Sequence, residues 1–518
     1  MTITSLNYLV FIAAGALVYY LMPKSMQWVE LLVMSVLFYC MAASPYTLVY
    51  LGASTVLAWG GTNLFERLRQ NGSDASGKLS KMILLLTIGT NILLWFLLKG
   101  GYFWKKGLKV LGWFLPEASR LEGVKLAAAF GMGYYTLQVV GYILDCYWET
   151  VRPQKNVLKL FLFTAFFPQL VTGPISRYEQ LKGLYERHGF SYLNVTHGMQ
   201  RILWGFFKKL VLAERVGIIV DGIWADTASY NGLYAWIALL LYPIQMYADF
   251  SGCMDIVIGT AEMFGIRLAE NFDTPFFSKT SQEFWQRWHM TLGSWAKDYV
   301  LYPLLKSRMM LKFGKGLKKK LGKRAGKFVT TAAGMLVLWT VMGIWHGEAK
   351  YIIGVSLWYW TVLMLGELAA PLFRKLTEML CIRTDNFSWR LFQMARTYLI
   401  YALGAVFFRA IGVRKAVAFI KVLLEAFKKE TWNPWILFDG SILELGVTHQ
   451  DLNIIIISIL LLLVVGILRK RYGYARIWMD WQSLPFRWMV WVGVFAFVLV
   501  YGIYGPGYSA AEFIYQGF

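Results

Sequence analysis

Apolar residues fall in long runs along this chain, separated by short polar connectors. Tyr8–Leu21, Met82–Leu98, Leu452–Leu468 and Trp488–Tyr501 are examples. A helix needs about 20 apolar residues to span a hydrocarbon core, and several runs approach that length. The pattern predicts an all-α, polytopic integral membrane protein with about eleven to thirteen transmembrane or re-entrant helices. About four of these fall in residues 1–100, with a polar connector at Gln70–Lys81. Residues 125–175 hold two apolar stretches joined by Glu149–Asn156, and residues 197–260 alternate basic, amphipathic and apolar runs. Gly173-Pro174 predicts a helix break, which is tolerated at membrane depth only where protein or water satisfies the backbone. Val413–Lys429 has the pattern of a helix lying along an interface, and the aromatic, glycine-containing tail Tyr501–Phe518 reads as a second interfacial segment. Neither an internal repeat nor a soluble domain is visible.

Composition sharpens this picture. Of 518 residues, 57% are hydrophobic and 16% are charged, against roughly a quarter charged in soluble domains. The net charge of +22 would suggest nucleic acid in a soluble protein. Here the Lys and Arg residues sit in connectors between apolar runs, the positive-inside pattern, and no nucleic-acid-binding module is present. The most basic connector, Lys306–Lys327, carries no acidic residue and is expected to meet an anionic cytoplasmic leaflet. The first positive charge, Lys24, follows the first apolar run. That makes the run a retained span with its N-terminus outside rather than a signal peptide. Cys40, Cys146, Cys253 and Cys381 form no CxxC pair. They suggest neither a disulfide framework nor a zinc site, and read as small buried apolar residues.

Ionisable groups at membrane depth are costly, so each is a functional candidate. Of the five histidines, His188, His197 and His449 sit in connectors or at a helix start and read as surface residues. His289 lies in EFWQRWHMTLGSW among Trp285, Trp288 and Trp295, and His346 ends the apolar run VLWTVMGIWHGEAK behind Trp345. His289 is 17 residues before Lys306 and His346 is 19 after Lys327. At about 1.5 Å per residue, continuous helices would hold both roughly 25–28 Å from the basic connector. Pro303 is a candidate break in the first of them. Two readings stand side by side. Trp-His pairs serve as interfacial anchors at headgroup level, and histidine also takes and returns a proton near neutrality, as acyl transfer requires. In the second reading the tryptophans exclude water and limit hydrolysis of a thioester. Gln245, Asp249, Ser251 and Asp255 interrupt an apolar stretch, either as cavity-lining groups or as an internal network joining helices. Asp145 and Arg177 suit packing or loop roles. Walker, HExxH and GxSxG motifs are missing, which weakens ATP-driven transport, metalloprotease and serine hydrolase readings.

In this order, the segments GYYTLQVVGYILDCY, FFPQLVTGPISRY, GFFKKLVLAERV, MYADFSGCMDIVIG, ENFDTPFFSKTSQEFWQRWHMTLGSWAKDY and MGIWHG resemble the membrane-bound O-acyltransferase (MBOAT) family. The resemblance runs from about residue 125 to 410 and returns in the final residues, EFIYQGF. It is to the bacterial AlgI/DltB-like branches, closer to the alginate O-acetylation branch. The chain departs from that branch at Leu305-Lys306, where Gly-Gly is usual, and at Gly293, where Ser is common.

The resemblance implies a single membrane domain over 1–518: N-terminal helices (1–124), a catalytic core (125–410) and C-terminal helices (411–518), ringed around a central tunnel. It implies that His346 is catalytic, as general base or acyl relay, and that His289 orients it or shares the proton. Trp285, Trp288, Trp345, Gln245, Asp249 and Ser251 are the candidate tunnel-lining residues. No metal and no permanently bound cofactor are implied. The acyl donor would be a cytoplasmic thioester, acetyl-CoA or an acyl-carrier-protein thioester. The acceptor would be an extracellular or cell-wall polysaccharide, reached with an extracytoplasmic SGNH/GDSL-like transferase. The site of action would be the bacterial inner (plasma) membrane. D-alanyl transfer to teichoic acid is the alternative within the enzyme class. A non-catalytic transporter or flippase is the alternative outside it, although the repeated halves common in transporters are not seen.

Overall fold

The computed structural model describes residues 1–70, 74–99, 131–170, 172–347, 349–425 and 432–505. The final segment EFIYQGF, the tail beyond residue 505 and residues 426–429 of the amphipathic stretch lie outside these. Among the described residues there are helices and no strands, as the apolar runs predict.

Among the described residues, six helical segments are long and apolar enough to cross a membrane: Gly77–Leu98, Arg308–His346, Ile352–Met379, Phe387–Arg409, His449–Tyr472 and Leu484–Tyr501. Leu6–Leu21 and Gln27–Ala42 are apolar but shorter, at 16 residues each. The eleven to thirteen segments expected counted transmembrane and re-entrant helices together. Other apolar runs form helices that carry interior charge, such as the 31-residue helix Leu233–Met263 with Pro243, Asp249 and Asp255 inside it. The chain is a multi-pass membrane protein, and His449–Tyr472 shows why. Only Ile454, Ile455, Ser458 and Gly466 of this helix are buried, while Ile456, Ile457, Leu460, Leu463 and Val464 face outward. A helix apolar all round that buries so little within the protein is matched to lipid. Its start is fixed by a capping box between Thr448 and Asp451, and Arg469, Lys470 and Arg471 close its other end.

The described residues group into two compact units. The first takes in Met1–Gly205 and Cys253–Glu270. Tyr39, Leu51, Leu98, Met132, Tyr135, Ala165 and Leu170 form a core there. Arg201 is held by Asp255 at 3.0 Å and by both oxygens of Glu270 at 2.7 Å, so Asp255 belongs to an internal ion network. The backbone break falls where Gly173-Pro174 places it: residues 172–176 are non-helical yet buried. His188 is not a plain surface residue. Its ring accepts or donates to the Tyr19 hydroxyl at 2.8 Å, and its backbone is bonded to the Gln27 amide. Cys146 and Cys253 are buried as expected, whereas Cys40 and Cys381 are exposed on the protein's own surface.

The second unit comprises Phe206–Gly252 and the described residues of Asn271–Tyr508. The basic connector here is a helical hairpin. Arg308–His346 is kinked at Gly322, whose φ of 81° is open to glycine but strained for other residues. A Cβ on Gly326 would come within 2.6 Å of the Lys318 nitrogen, and one on Gly314 within 3.2 Å of Thr330. Residues 308–321 therefore run back along 323–336, with Lys312, Lys315, Lys318, Lys319, Lys320, Lys323, Arg324 and Lys327 all exposed. Because the connector doubles back, Lys306 and Lys327 are not level anchors, and equal spacing from them does not by itself equate the depths of the two histidines. Leu305 instead packs where a Cβ on Gly334 would sit, at 2.8 Å. Pro303 does not break the preceding helix. A π-turn over Lys297–Leu301 comes just before it, and the Tyr302 N–H reaches back five residues to the Lys297 carbonyl. The wider turn displaces the carbonyl that a proline ring would meet in an α-helix.

The amphipathic helix Val413–Glu425 turns Ala416, Phe419 and Leu423 inward. Phe419 stacks on Trp224 with ring centroids 4.0 Å apart. Its apolar stripe is thus covered by protein.

Candidate functional site

Both Trp-His pairs are interior. Trp288, His289, Trp345 and His346 expose 3%, 5%, 5% and 6% of their surface, so none of the four presents its ring outward as an interfacial anchor does.

His289 sits at a break between two short helices, Ser281–Arg287 and Met290–Ala296. Its backbone is left-handed, with φ 46° and ψ 51°, an uncommon conformation for a non-glycine residue. The conformation is held from across the chain. The Met290 N–H donates to the Asn271 carbonyl at 2.9 Å, and the Asp273 N–H donates to the Arg287 carbonyl at 2.9 Å. The loop from Asn271 is clamped in turn. Arg469 pairs with Asp273 at 3.2 Å and donates to the Phe272 carbonyl at 2.9 Å, while Arg287 pairs with Glu283 at 3.0 Å. Trp288 is wedged among Phe272, Phe284 and Tyr401, at centroid distances of 5.0, 5.5 and 5.0 Å. Trp285 lies against Tyr359 and Trp339, at 4.6 and 5.0 Å.

His346 is the last residue of its helix. Its ring lies 5.5 Å from Tyr351 and 5.4 Å from Phe408. The helix approaches its neighbour closely at Gly343. A Cβ there would collide with the Ser356 hydroxyl and lie 3.0 Å from Ile352 Cα. Ser356 itself donates to the Trp339 carbonyl at 2.6 Å.

Trp345 lies between the two histidines. The Trp345 ring is 4.8 Å from His346 and 6.4 Å from His289, measured between centroids. Phe250 closes on His289 at 4.9 Å. The Trp345 indole thus neighbours both buried imidazole rings. No cluster of metal-ligating side chains is found among the described residues.

The polar residues of the Leu233–Met263 helix are placed differently. Asp249 pairs with Lys209 at 2.5 Å, and Lys209 also pairs with Glu214 at 2.6 Å. Ser251 accepts from Lys208 at 2.8 Å, and that ammonium lies 5.7 Å from the Tyr247 ring centre. Gln245 packs on Gly217, where a Cβ would come within 2.9 Å of its amide nitrogen. Lys208 and Lys209 are both buried in a π-helical turn, Phe207–Ala213. Reading the sequence did not single them out. The one available signal was two adjacent lysines inside an otherwise apolar stretch, GFFKKLVLA. Asn271 was also not singled out, because its role depends on contacts 18 to 20 residues away.

The family model for the membrane-bound O-acyltransferase (MBOAT) family matches residues 150–408, half the chain. The chain belongs to this family. The matched region takes in both histidines, the lysine-carboxylate cluster and Phe408, whose ring touches His346. The chain is 29% identical over 280 residues to a probable alginate O-acetylase AlgI of Pseudomonas syringae pv. tomato, covering 54% of this chain and 48% of the relative. It is 26% identical over 334 residues to a peptidoglycan O-acetyltransferase of Helicobacter pylori, covering 58% of each. It is 29% identical over 237 residues to a teichoic acid D-alanyltransferase of Bacillus subtilis, covering 44% of this chain and 56% of the relative. The chain thus spans about half the length of these curated relatives. Within the MBOAT family, these relatives act on different polymers with different acyl groups, so membership alone does not select between them.

Proposed function

We propose that this MBOAT protein is an O-acyltransferase that passes an acyl group, most simply acetyl, from a cytoplasmic thioester across the membrane for O-acetylation of an extracellular or cell-wall polysaccharide. The observation that carries the reading is the pairing of His289 and His346 against the single indole of Trp345, inside a region matched by the family model. The chemistry follows from the groups present. A thioester carbonyl is attacked by a hydroxyl, and the hydroxyl proton must go to a base as the C–O bond forms. His346 takes that proton, or first carries the acyl group itself, and the proton ends on the departing thiolate. His289 shares the proton or orients the partner ring. The enclosing aromatics keep bulk water from competing as the acceptor. Alginate O-acetylase and peptidoglycan O-acetyltransferase relatives favour acetyl as the acyl group.

The donor in this reading is acetyl-CoA or an acyl-carrier-protein thioester, and an extracytoplasmic SGNH/GDSL-like transferase completes delivery. The protein acts in the bacterial inner membrane with its N-terminus outside. The teichoic acid D-alanyltransferase relative supports a second reading, transfer of D-alanine by the same core chemistry.

The test is to delete the gene in its host, complement with the wild-type chain, and quantify base-labile acetate and D-alanine in envelope and secreted polymers. Acetate restored alone supports the first reading. D-alanine restored alone supports the second. Restoration of neither, with the protein present in the membrane, contradicts both and brings forward a transporter or flippase.

A further inference from the structure

His289 has two ring nitrogens, and a base is useful only if the correct one is free of its proton. The hydrogen bonds around Asn271 decide which. Its side-chain oxygen accepts the Thr291 backbone N–H at 3.2 Å and the Thr291 hydroxyl at 2.8 Å. A backbone N–H only donates, so this atom is the amide oxygen and the orientation of the Asn271 amide is fixed by chemistry. The same oxygen lies 3.1 Å from His289 Nδ1. An amide oxygen only accepts, so Nδ1 carries the proton and Nε2 of the neutral ring carries the lone pair. Nε2 is buried and has no hydrogen-bond partner among the described residues.

Asn271 also acts on the backbone. Its carbonyl accepts the Met290 N–H at 2.9 Å, immediately after the left-handed His289. Side chain and main chain of one residue thus hold both the ring orientation and the strained turn that presents it. Such strain persists where surroundings over-determine it, and the clamp of Arg469 and Arg287 on the following residues supplies the rest.

We propose that Asn271 is a positioning residue for acyl transfer, fixing His289 with its proton on Nδ1 and leaving buried Nε2 as the nitrogen through which His289 shares the proton taken up at His346. The proposal rests on the acyltransferase reading given above.

The test uses the full chain in lipid nanodiscs with 15N-labelled histidine, together with the complemented deletion strain. The His289 signals are assigned by their loss in His289→Gln. In the wild type, the expected spectrum shows a protonated Nδ1 and a bare Nε2. Asn271→Leu removes the acceptor, and it is expected to shift His289 toward the other tautomer and slow ester formation by roughly 10-fold or more, in kcat rather than KM. Asn271→Asp keeps an acceptor oxygen. It should preserve the Nδ1-protonated form, recover most of the rate and move the acid limb of the pH profile upward, since a carboxylate favours the imidazolium. A wild-type ring protonated on Nε2 overturns the proposal, as does an Asn271→Leu protein with unchanged tautomer and rate. Should His289→Gln abolish ester formation while Asn271→Leu leaves it intact, this inference falls and the acyltransferase reading stands. Should His289→Gln retain full activity, the role of His289 in that reading falls, and the positioning role with it.

Discussion

Lys209 lies between two carboxylates in the protein interior, and this arrangement makes a quantitative prediction. Side-chain exposure is 4% for Lys209, 3% for Asp249 and 24% for Glu214. Lys209→Met leaves Asp249 as a buried charge without its cation. Breaking a buried pair in this way costs about 3–5 kcal/mol. Asp249→Asn is milder because Glu214 remains 2.6 Å from the ammonium; losing one charged hydrogen bond costs about 1.5–3 kcal/mol. The double variant removes both poorly solvated charges, so its cost should fall below the sum of the singles by roughly 2 kcal/mol, within the range for residues in direct contact. The assay is reversible denaturant unfolding of purified protein in detergent micelles or bicelles, read as a double-mutant cycle. Additivity within about 0.5 kcal/mol would refute the argument. Asp249 would then be free to line a substrate path, rather than serving to join the Phe207–Ala213 turn to the Leu233–Met263 helix.

Two further expectations follow from the packing around the histidines. Gly343→Ala places a methyl group against Ser356 and Ile352; overpacking of this kind costs about 1–3 kcal/mol, so the thermal midpoint should drop and ester formation should fall with it as His346 is displaced. Arg469→Gln removes the ion pair to Asp273 and weakens the bond to the Phe272 carbonyl; ester formation should fall several-fold, roughly as for loss of an orienting contact, while a normal rate in folded Arg469→Gln protein would show that the Asn271 loop needs no such clamp.

The fold class was legible because lipid imposes it: runs such as Leu452–Leu468 admit few structures other than a spanning helix. Finer features depended on contacts distant in sequence. The segment EFWQRWHMTLGSW reads as uninterrupted, yet it breaks at His289 because Asn271, 18 residues earlier, captures both the Met290 N–H and the imidazole. The sequence shows the basic connector only as a run of charge and glycine, whereas Gly322 turns it into a hairpin of two helical arms. Asp249 and Ser251 stood out as polar residues in an apolar run, but their partners Lys208 and Lys209 did not, since paired lysines resemble a topology signal when no fold is in view. Trp345 was visible as a neighbour of His346; that its indole also meets His289 depends on how separate helices converge.

In this mechanism His346 is required for acyl transfer. The direct measurement is the initial rate of base-labile ester formation in the deletion strain carrying His346→Ala, at membrane protein levels matched to the wild type. A loss of about 100-fold or more is expected, the scale of a missing acid-base group. A rate within about twofold of the wild type, far below that scale, would contradict it.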